Sequence, residues 1–308
     1  MLHADLVQSV LSRLLETNPV DLLLVQGDTS SALGGALAAR KADVALGHVE
    51  AGLRSHDPQM PWPEEPNRIA IDRMAQLLFA PTTGNACNLM REQVEGEIIV
   101  TGSSGIDALA ELVGPLPVRR RGRRWLPRRD FHILVTCHRR ENWSDGLDRV
   151  GQALLTLADE GATIEVVLHP NPTVTGAMWR LFGERSRIRL LAPMSHEGIV
   201  RAMRRADLVL SDSGGMQEEA PALGVPLLVL RDKTERPEGL ACGSMELVGN
   251  DPDRIIAAVR NLRRRPTLLT AMSRPAMPFG DGRAAQRIAT HCLAFLEDRL
   301  SPELALTA

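Results

Sequence analysis

Short apolar runs alternate with segments of helical periodicity along most of the chain. In the first half, helical patterns around 31–41, 64–75 and 84–93 separate predicted strands at 21–26, 44–49, 77–80 and 97–102. The second half repeats the scheme, with strands predicted at 132–137, 163–169, 187–191, 206–211 and 225–230. Apolar strands separated by helices are typical of βαβ units in a parallel sheet. The pattern therefore predicts an α/β protein with two doubly wound, Rossmann-like domains.

A basic, proline-containing stretch separates the two halves. The sequence "GPLPVRRRGRRWLPRRD" (114–130) carries seven arginines and is interpreted as a solvated linker rather than a phosphate-binding run. We expect a first domain at 1–118, a linker at 119–130 and a second domain at 131–282, with a C-terminal helix at 283–300 that rejoins the first domain. Because the chain opens on a helix, we expect the usual first strand–loop–helix unit of a doubly wound domain to be absent from this sequence.

Composition and charge narrow the class of protein. The 308 residues include 36 basic and 38 acidic side chains, a balance that gives no reason to expect nucleic acid or a membrane surface as a partner. The first 18 residues carry Asp5 and Arg13 among their apolar positions, unlike a signal peptide or a membrane span. The four cysteines are far apart and form no C-x-x-C pair, which argues against a zinc site and a disulfide framework. A reduced, cytoplasmic location is expected.

Polar residues follow four of the predicted strands. Ligands of open parallel sheets bind beyond the carboxyl ends of the strands, so these positions are candidates for a site. Taken singly, each is better explained as a helix cap or a loop charge than as a catalytic residue. Together they favour a ligand site, and they are Asp28, Glu50, Arg54, His138, Arg139, Arg140, Glu141, Asp212 and Ser213.

The stretch "SDSGGMQEEAPALG" (211–224) is typical of a nucleotide-binding turn. Gly214 and Gly215 allow an anion to approach the backbone, and the amides at the start of the following helix favour a phosphate. Glu218 or Glu219 would then accept hydrogen bonds from ribose hydroxyls. A helix capped by Ser213, with glutamates that suit the helix dipole, accounts for the same pattern. The chain contains no G-x-G-x-x-G and no G-x-x-x-x-G-K-[ST], so NAD and an ordinary ATPase site are not supported and no cofactor is expected.

The motifs "GDT", "HVEAGLR", "PWPEEPNR", "HRREN", "HPNP", "SDSGGMQEEAPALGVP" and "RDKTERPE" occur in this order between about residue 20 and about residue 265. This set resembles the non-hydrolysing UDP-N-acetylglucosamine 2-epimerase family. The resemblance implies a GT-B fold, a UDP-sugar substrate and a homodimer. It also implies interconversion of UDP-N-acetylglucosamine and UDP-N-acetylmannosamine for cell-surface polysaccharide synthesis.

The implied reaction requires an acid, a base and a site that stabilises an anion. Sugar carbon C2 has no adjacent carbonyl, so loss of its proton is coupled to expulsion of UDP from C1. The product is 2-acetamidoglucal, to which UDP adds back with protonation on the opposite face.

Residue roles follow from the resemblance alone. It assigns acid and base work to Asp28, Glu50 and Glu64, with His138 assisting departure of the diphosphate. Further roles are contact with the substrate or its phosphates for Arg68 and Arg139, diphosphate binding for Ser213, Gly214 and Gly215, and ribose binding for Glu219. His169 resembles a position near a second, activating UDP-sugar site; a strand-end histidine bonded to nearby backbone is the alternative.

The sequence departs from the family pattern at two places. The family's "GTRPE" turn and the lysine that follows it do not occur here, and His196 and Ile199 stand where the family commonly carries Tyr and Phe. The second change removes an aromatic platform near the uracil. A hydrolysing relative that releases N-acetylmannosamine, and a UDP-sugar-binding remnant without turnover, remain alternatives. A GT-B glycosyltransferase is a further one, although it would not require this set of carboxylates.

Overall fold

The computed structural model describes residues 2–116, 131–137, 145–183 and 185–300. These residues form two compact units. One contains the described residues up to Asp107 together with those from Phe279 onward, and the other runs from Ala108 to Pro278. The predicted linker at 119–130 lies outside the described residues.

The first unit is built on a four-stranded parallel sheet with the strand order β1-β2-β3-β4. Its elements are α1 (Leu2–Thr17), β1 (Leu22–Gln26), α2 (Ser30–Lys41), β2 (Ala45–Val49), α3 (Glu64–Asp72), β3 (Leu77–Ala80), α4 (Thr83–Arg91), β4 (Glu97–Val100), the start of α5 (Ser104–Val113) and the final helix α13 (Ala284–Leu300). Every β-strand pairs in parallel with its neighbour in the chain, as the apolar strand pattern predicts.

Both faces of this sheet are covered, because side chains alternate along each strand. Leu78 and Ala80 of β3 pack into a core that includes residues of α2, α3 and α4. Leu77 and Phe79 point to the opposite face, where Ile288 of α13 packs against them. Helices on both faces leave the carboxyl ends of the strands as the place where polar loops collect.

The second unit contains a six-stranded parallel sheet with the order β10-β9-β8-β5-β6-β7. Numbered within the unit, this is 6-5-4-1-2-3, the strand order of dinucleotide-binding Rossmann folds. Its elements are β5 (Phe131–Thr136), α6 (Asp145–Asp159), β6 (Ala162–Val167), α7 (Pro172–Phe182), β7 (Ile188–Leu191), α8 (His196–Arg205), β8 (Leu208–Ser211), α9 (Gly214–Leu223), β9 (Leu227–Val229), α10 (Pro237–Ala241), β10 (Met245–Leu247), α11 (Pro252–Arg264) and α12 (Pro266–Met272). The prediction of two Rossmann-like α/β domains is confirmed.

The strand order reverses between β5 and β8, which are neighbours in the sheet. In doubly wound sheets this reversal opens a crevice at the carboxyl ends of the two strands. The hydroxyls of Thr136 and Ser211 meet there at 2.6 Å, and Ser211 Oγ also accepts a hydrogen bond from the amide of Ser213. The turn that leads into α9 is thereby fixed to the crevice.

The predicted strands agree with the observed ones to within two residues at each end. Strand β10 is the exception, because the apolar pattern does not predict it. It has only three residues, and Glu246 at its centre is exposed. No helix of the described part of the chain is both long and apolar enough to span a membrane.

Candidate active site

Asp28 follows β1 and is joined to the first turns of α3. Arg68 Nη2 forms an ion pair with Asp28 Oδ2, and Asn67 Nδ2 donates to the backbone carbonyl of Asp28 at 2.8 Å. The side chain of Asp28 keeps 23% of its surface exposed, whereas that of Arg68 keeps 2%. The loop after β1 therefore presents a carboxylate that is fixed in place but still accessible.

Glu50 follows β2 in a left-handed backbone conformation, with φ of 71°. Such a conformation costs a non-glycine residue about 1–3 kcal/mol and is often found at functional sites. The Glu50 carboxylate lies against the loop of Asp28, since a Cβ atom added to Gly27 would be 3.2 Å from Glu50 Oε2. The left-handed conformation of Glu50 thus places its carboxylate beside the loop that carries Asp28.

Two adjacent glutamates at the start of α3 have different environments. The carboxylate of Glu65 accepts hydrogen bonds from the amides of Ser55 and His56 at 3.0 and 3.1 Å, and it pairs with Arg68 at 3.1 Å. Glu64 Oε2 is buried and has no hydrogen-bond partner among the described residues. A buried polar atom without a partner is uncommon in folded proteins and is compatible with a catalytic role. Glu65 therefore serves the structure, whereas Oε2 of Glu64 makes no hydrogen bond to a described residue.

A network of buried polar side chains supports these loops. His48 Nδ1 is 2.6 Å from Asp72 Oδ1, and His48 Nε2 is 2.9 Å from the carbonyl oxygen of Gly27. Arg54 contacts Asp72 and Glu92, with each closest distance 2.7 Å. Arg54, which the sequence placed among the candidate site residues, is thus a buried structural cation that supports the loops after β1 and β2.

In the second unit, Ser213 occupies the N-cap position of α9, but its side chain makes no cap hydrogen bond. Helices α2, α4, α7, α8 and α11 differ, because in each the side chain at the N-cap accepts a backbone amide hydrogen bond. The Ser-capped helix considered as an alternative for this stretch is therefore not what the structure contains. The start of α9, with Gly214 and Gly215, is left suited to an anion.

Glu218 and Glu219, the two glutamates of α9, have different side-chain partners. Arg236 Nε donates to Glu218 Oε1 at 2.6 Å, and Arg236 Nη1 donates to Glu235 Oε1 at 2.7 Å. A Cβ atom on Gly214 would be only 2.9 Å from Arg236 Nη1. The bare α-carbon of Gly214 thus makes room for an arginine that ties α9 to the loop after β9.

Glu219 instead faces a cavity of about 330 Å³ within the second unit. Its Oε1 atom is 2.6 Å from His196 Nε2. Burial raises the pKa of the Glu219 carboxyl, and the neighbouring His196 opposes that rise. The cavity is lined by Val167, Leu168, Pro170, Pro193, Met194, His196, Ile199, Ser213, Gly215, Met216 and Glu219. No Phe, Tyr or Trp is among these lining residues, which fits the loss of the aromatic platform.

Several predicted site residues are not placed at a site by the structure. His138, Arg139, Arg140 and Glu141 lie outside the described residues. His169 is not among the residues that line the cavity, and its Nδ1 accepts the backbone amide of Asn171 at 2.9 Å. This local contact is the one expected of a strand-end histidine, and an activating role for His169 stays a prediction.

Most of the other predicted residues fall into two groups; Asp212, which directly follows β8, is instead fully buried. Asp28, Glu50, Glu64 and Arg68 gather in the first unit, and Ser213, Gly214, Gly215 and Glu219 gather in the second. Sequence reasoning assigned no role to Arg236, although it lies in the motif "RDKTERPE", and it recorded His196 only as a departure from the family. Within the described ranges, no three or more His, Cys, Asp or Glu side chains are grouped as metal ligands.

Comparison with known proteins agrees with the family resemblance of the sequence motifs. A family model described as UDP-N-acetylglucosamine 2-epimerase matches residues 3–293. The UDP-N-acetylglucosamine 2-epimerase of Salmonella typhimurium is 39% identical over 285 residues, which cover 87% of this chain and 74% of the relative. The enzyme of the same name from Escherichia coli K12 is 40% identical with the same coverage.

Solved structures agree with the sequence matches. The S. aureus protein MnaA, solved with UDP, superposes with a TM-score of 0.87 at 35% identity, covering 96% of this chain and 81% of that one. The UDP-GlcNAc 2-epimerase from Neisseria meningitidis, solved with UDP-GlcNAc bound, gives a TM-score of 0.87 at 36% identity, covering 94% and 81%. The match over nearly all of the sequence establishes that this chain belongs to the UDP-N-acetylglucosamine 2-epimerase family.

Proposed function

We propose that this protein interconverts UDP-N-acetylglucosamine and UDP-N-acetylmannosamine by eliminating UDP and adding it back. The observation that carries the proposal is the buried Oε2 atom of Glu64, which has no partner among the described residues and lies one residue from the fully engaged Glu65. A carboxylate held in this way is suited to take a proton from carbon, provided that a leaving group departs in the same step.

The proposed reaction balances without an oxidant or a reductant. A carboxylate takes the proton from C2, the C2–H electron pair forms the C1=C2 double bond, and the C1–O bond breaks with its electrons passing to UDP. In the return step UDP oxygen attacks C1 and a second acid delivers a proton to the other face of C2. Asp28, Glu50 and Glu64 supply the acid and base, and Arg68 holds Asp28 in position.

We propose that the second unit binds the UDP part of the substrate, which is also the leaving group. The start of α9 binds the diphosphate at Ser213, Gly214 and Gly215, where amide hydrogen bonds stabilise the charge that develops on the leaving oxygen. Glu219 accepts hydrogen bonds from the ribose hydroxyls. The two solved relatives that carry UDP or UDP-GlcNAc support this choice of ligand. His138 and Arg139 are assigned to the departing diphosphate by resemblance alone.

Incubation with UDP-N-acetylglucosamine in deuterated water tests the reaction directly. We expect deuterium at C2 of both recovered UDP-sugars and no accumulation of free N-acetylmannosamine. Free N-acetylmannosamine as the main product would replace the proposal with the hydrolysing reaction. Saturable UDP-sugar binding without exchange would instead indicate a binding protein.

The remaining features of the protein are also proposals. A homodimer is inferred from the family resemblance and is tested by light scattering at several protein concentrations. A cytoplasmic location fits the four cysteines, all of which are free thiols. For the domains we propose a division at 1–118 and 131–282, with the helix at 283–300 belonging to the first, whereas the compact units divide after Asp107 and after Pro278. Limited proteolysis followed by mass spectrometry tests the proposed bounds.

A further inference from the structure

His196 and Glu219 form a pair at the wall of the cavity in the second unit. His196 begins α8 and Glu219 lies in α9, so the 2.6 Å contact between Nε2 and Oε1 joins two helices across the cavity. The side chain of Glu219 is 11% exposed, whereas that of His196 is 41% exposed. The glutamate is therefore nearly enclosed, and the histidine approaches it from the solvent side.

The His196 imidazole contacts Glu219 through a ring nitrogen, which lies at the edge of the ring. A ring that served as a stacking platform would need its face toward the base, and it would need no polar partner. Here the ring nitrogen contacts a carboxylate oxygen, while Ile199 and Met194 supply apolar surface to the same cavity. The geometry points to a polar task for His196.

We propose that His196 is a positioning residue that holds Oε1 of Glu219, so that Oε2 accepts the hydroxyls of a nucleoside with an intact 2′,3′-diol. This inference rests on the proposed function, because it assumes that UDP occupies the cavity. A glutamate side chain has several rotatable bonds, and fixing it before the ligand arrives removes an entropic cost from binding.

The charges around the pair are consistent with this task. Glu218, the neighbour of Glu219 on α9, forms an ion pair with Arg236. Glu197 on α8 forms an ion pair with Arg201. His196 is thus the side chain that contacts the Glu219 carboxylate. It favours the ionised form of that carboxylate, which accepts hydrogen bonds.

Calorimetric titration with UDP and with 2′-deoxy-UDP separates positioning from stacking in two substitutions. His196→Gln keeps a donor near the position of Nε2 but has no ring, and His196→Phe keeps a flat ring but has no donor. We expect the wild-type protein to prefer UDP about tenfold or more, as for a hydrogen bond to a charged group. His196→Gln is expected to keep most of this preference, and His196→Phe to lose it.

Turnover adds a second readout. In His196→Phe the KM for the UDP-sugar should rise with little change in kcat, because the lost contact is made equally in the ground state and the transition state. Glu197→Gln, one residue along α8 and exposed, is the matched control and should behave as wild type. Circular dichroism melts on each variant check that the fold and its stability are retained.

The outcomes distinguish the inference from the function on which it rests. If Glu219→Ala weakens UDP binding but His196→Phe retains both affinity and diol preference, the positioning role is wrong and the nucleotide site stands. If His196→Phe binds normally while His196→Gln does not, the ring acts as a platform and the inference is overturned. If the wild-type protein shows no saturable UDP binding, the proposed function fails and this inference fails with it.

Discussion

His48 and Asp72 form a fully buried contact, 2.6 Å between Nδ1 and Oδ1, that holds the carboxyl end of β2 against α3. The second carboxylate oxygen of Asp72 accepts from Arg54 at 2.7 Å and from the amide of Gly52 at 3.2 Å. One carboxylate thus contacts both a buried guanidinium and a buried imidazole. The loops that carry Asp28 and Glu50 start from this point.

Asp72→Ala should lower the free energy of unfolding by about 3–5 kcal/mol, the usual cost of removing one partner of a buried ion pair. Arg54 would keep Glu92 but lose its fully buried partner. Urea unfolding followed by circular dichroism measures the change. Asp232→Ala, which breaks the exposed 3.5 Å pair with Arg254, is the control and should cost less than about 1 kcal/mol. Equal losses in the two variants would show that the Asp72 network does not stabilise the fold.

The apolar pattern was sufficient to predict the sheets but not this network. Nine strands follow from runs such as "DLLLVQ" and "HILVTC", because a buried parallel strand must be apolar on both faces. His48, Asp72 and Glu92 are separated by up to 44 positions, and no local rule pairs them. Their contact exists only after β2, α3 and α4 have packed. For the same reason the sequence could not show that Arg54 is buried.

Glu64 and Glu65 are neighbours whose substitutions should have different effects. Glu64→Gln should lower C2 proton exchange by about 10²–10⁴, the usual contribution of a general acid or base, with little change in stability. Glu65→Gln removes the charge that pairs with Arg68 and replaces one of two acceptor oxygens by a donor, so its main effect should be on unfolding. Deuterium exchange at C2 and urea unfolding are measured on both. Unchanged exchange in Glu64→Gln would remove this residue from the mechanism.

Gly214 and Gly215 should also respond differently to alanine. A Cβ atom on Gly214 would meet Arg236 at 2.9 Å, and Arg236 cannot move without breaking its contacts with Glu218 and Glu235. Gly214→Ala should therefore destabilise the protein by about 1–3 kcal/mol, as overpacking does.

At Gly215 the nearest atom to an added Cβ is Ser213 Oγ at 4.0 Å, so Gly215→Ala should leave the fold intact. If the diphosphate lies on this turn, that methyl group should still weaken UDP binding, by about tenfold for the loss of one charge-assisted contact. Thermal melts and UDP titration of both variants provide the comparison. Normal UDP affinity in Gly215→Ala would mean that the anion does not approach this glycine.

The motif around α9 shows how far sequence can specify a site. Its residues suggest that a glutamate faces a ribose but do not separate Glu218 from Glu219, since adjacent residues differ by only 100° around a helix, and only the family resemblance favours Glu219. The choice depends on Arg236, which is distant in sequence and binds Glu218. The side-chain partner of Glu219 was likewise not predictable, because His196 lies 23 positions away and reaches it only in the folded chain.

A surface ion pair at the start of α13 gives a prediction with a defined pH window. Arg287 donates to both carboxylate oxygens of Asp281, at 2.7 and 2.8 Å, and to the carbonyl of Thr101 at 3.0 Å. The hydrogen bonds from Arg287 lower the pKa of Asp281 to about 2. Because the folded pKa is depressed, the pair stabilises the protein above the unfolded pKa of about 4, and that contribution is lost as the pH falls toward 2.

Asp281→Asn should therefore be less stable than wild type near neutral pH, and the gap should close on acidification from about pH 4 to about pH 2. The side chain is 54% exposed, so screening by water limits the gap to less than about 1 kcal/mol. Urea unfolding at several pH values measures it, with Asp298→Asn, on α13, as the control. A gap that widened in acid would contradict the pairing of Asp281 with Arg287, because protonation removes the charge on which the pair depends.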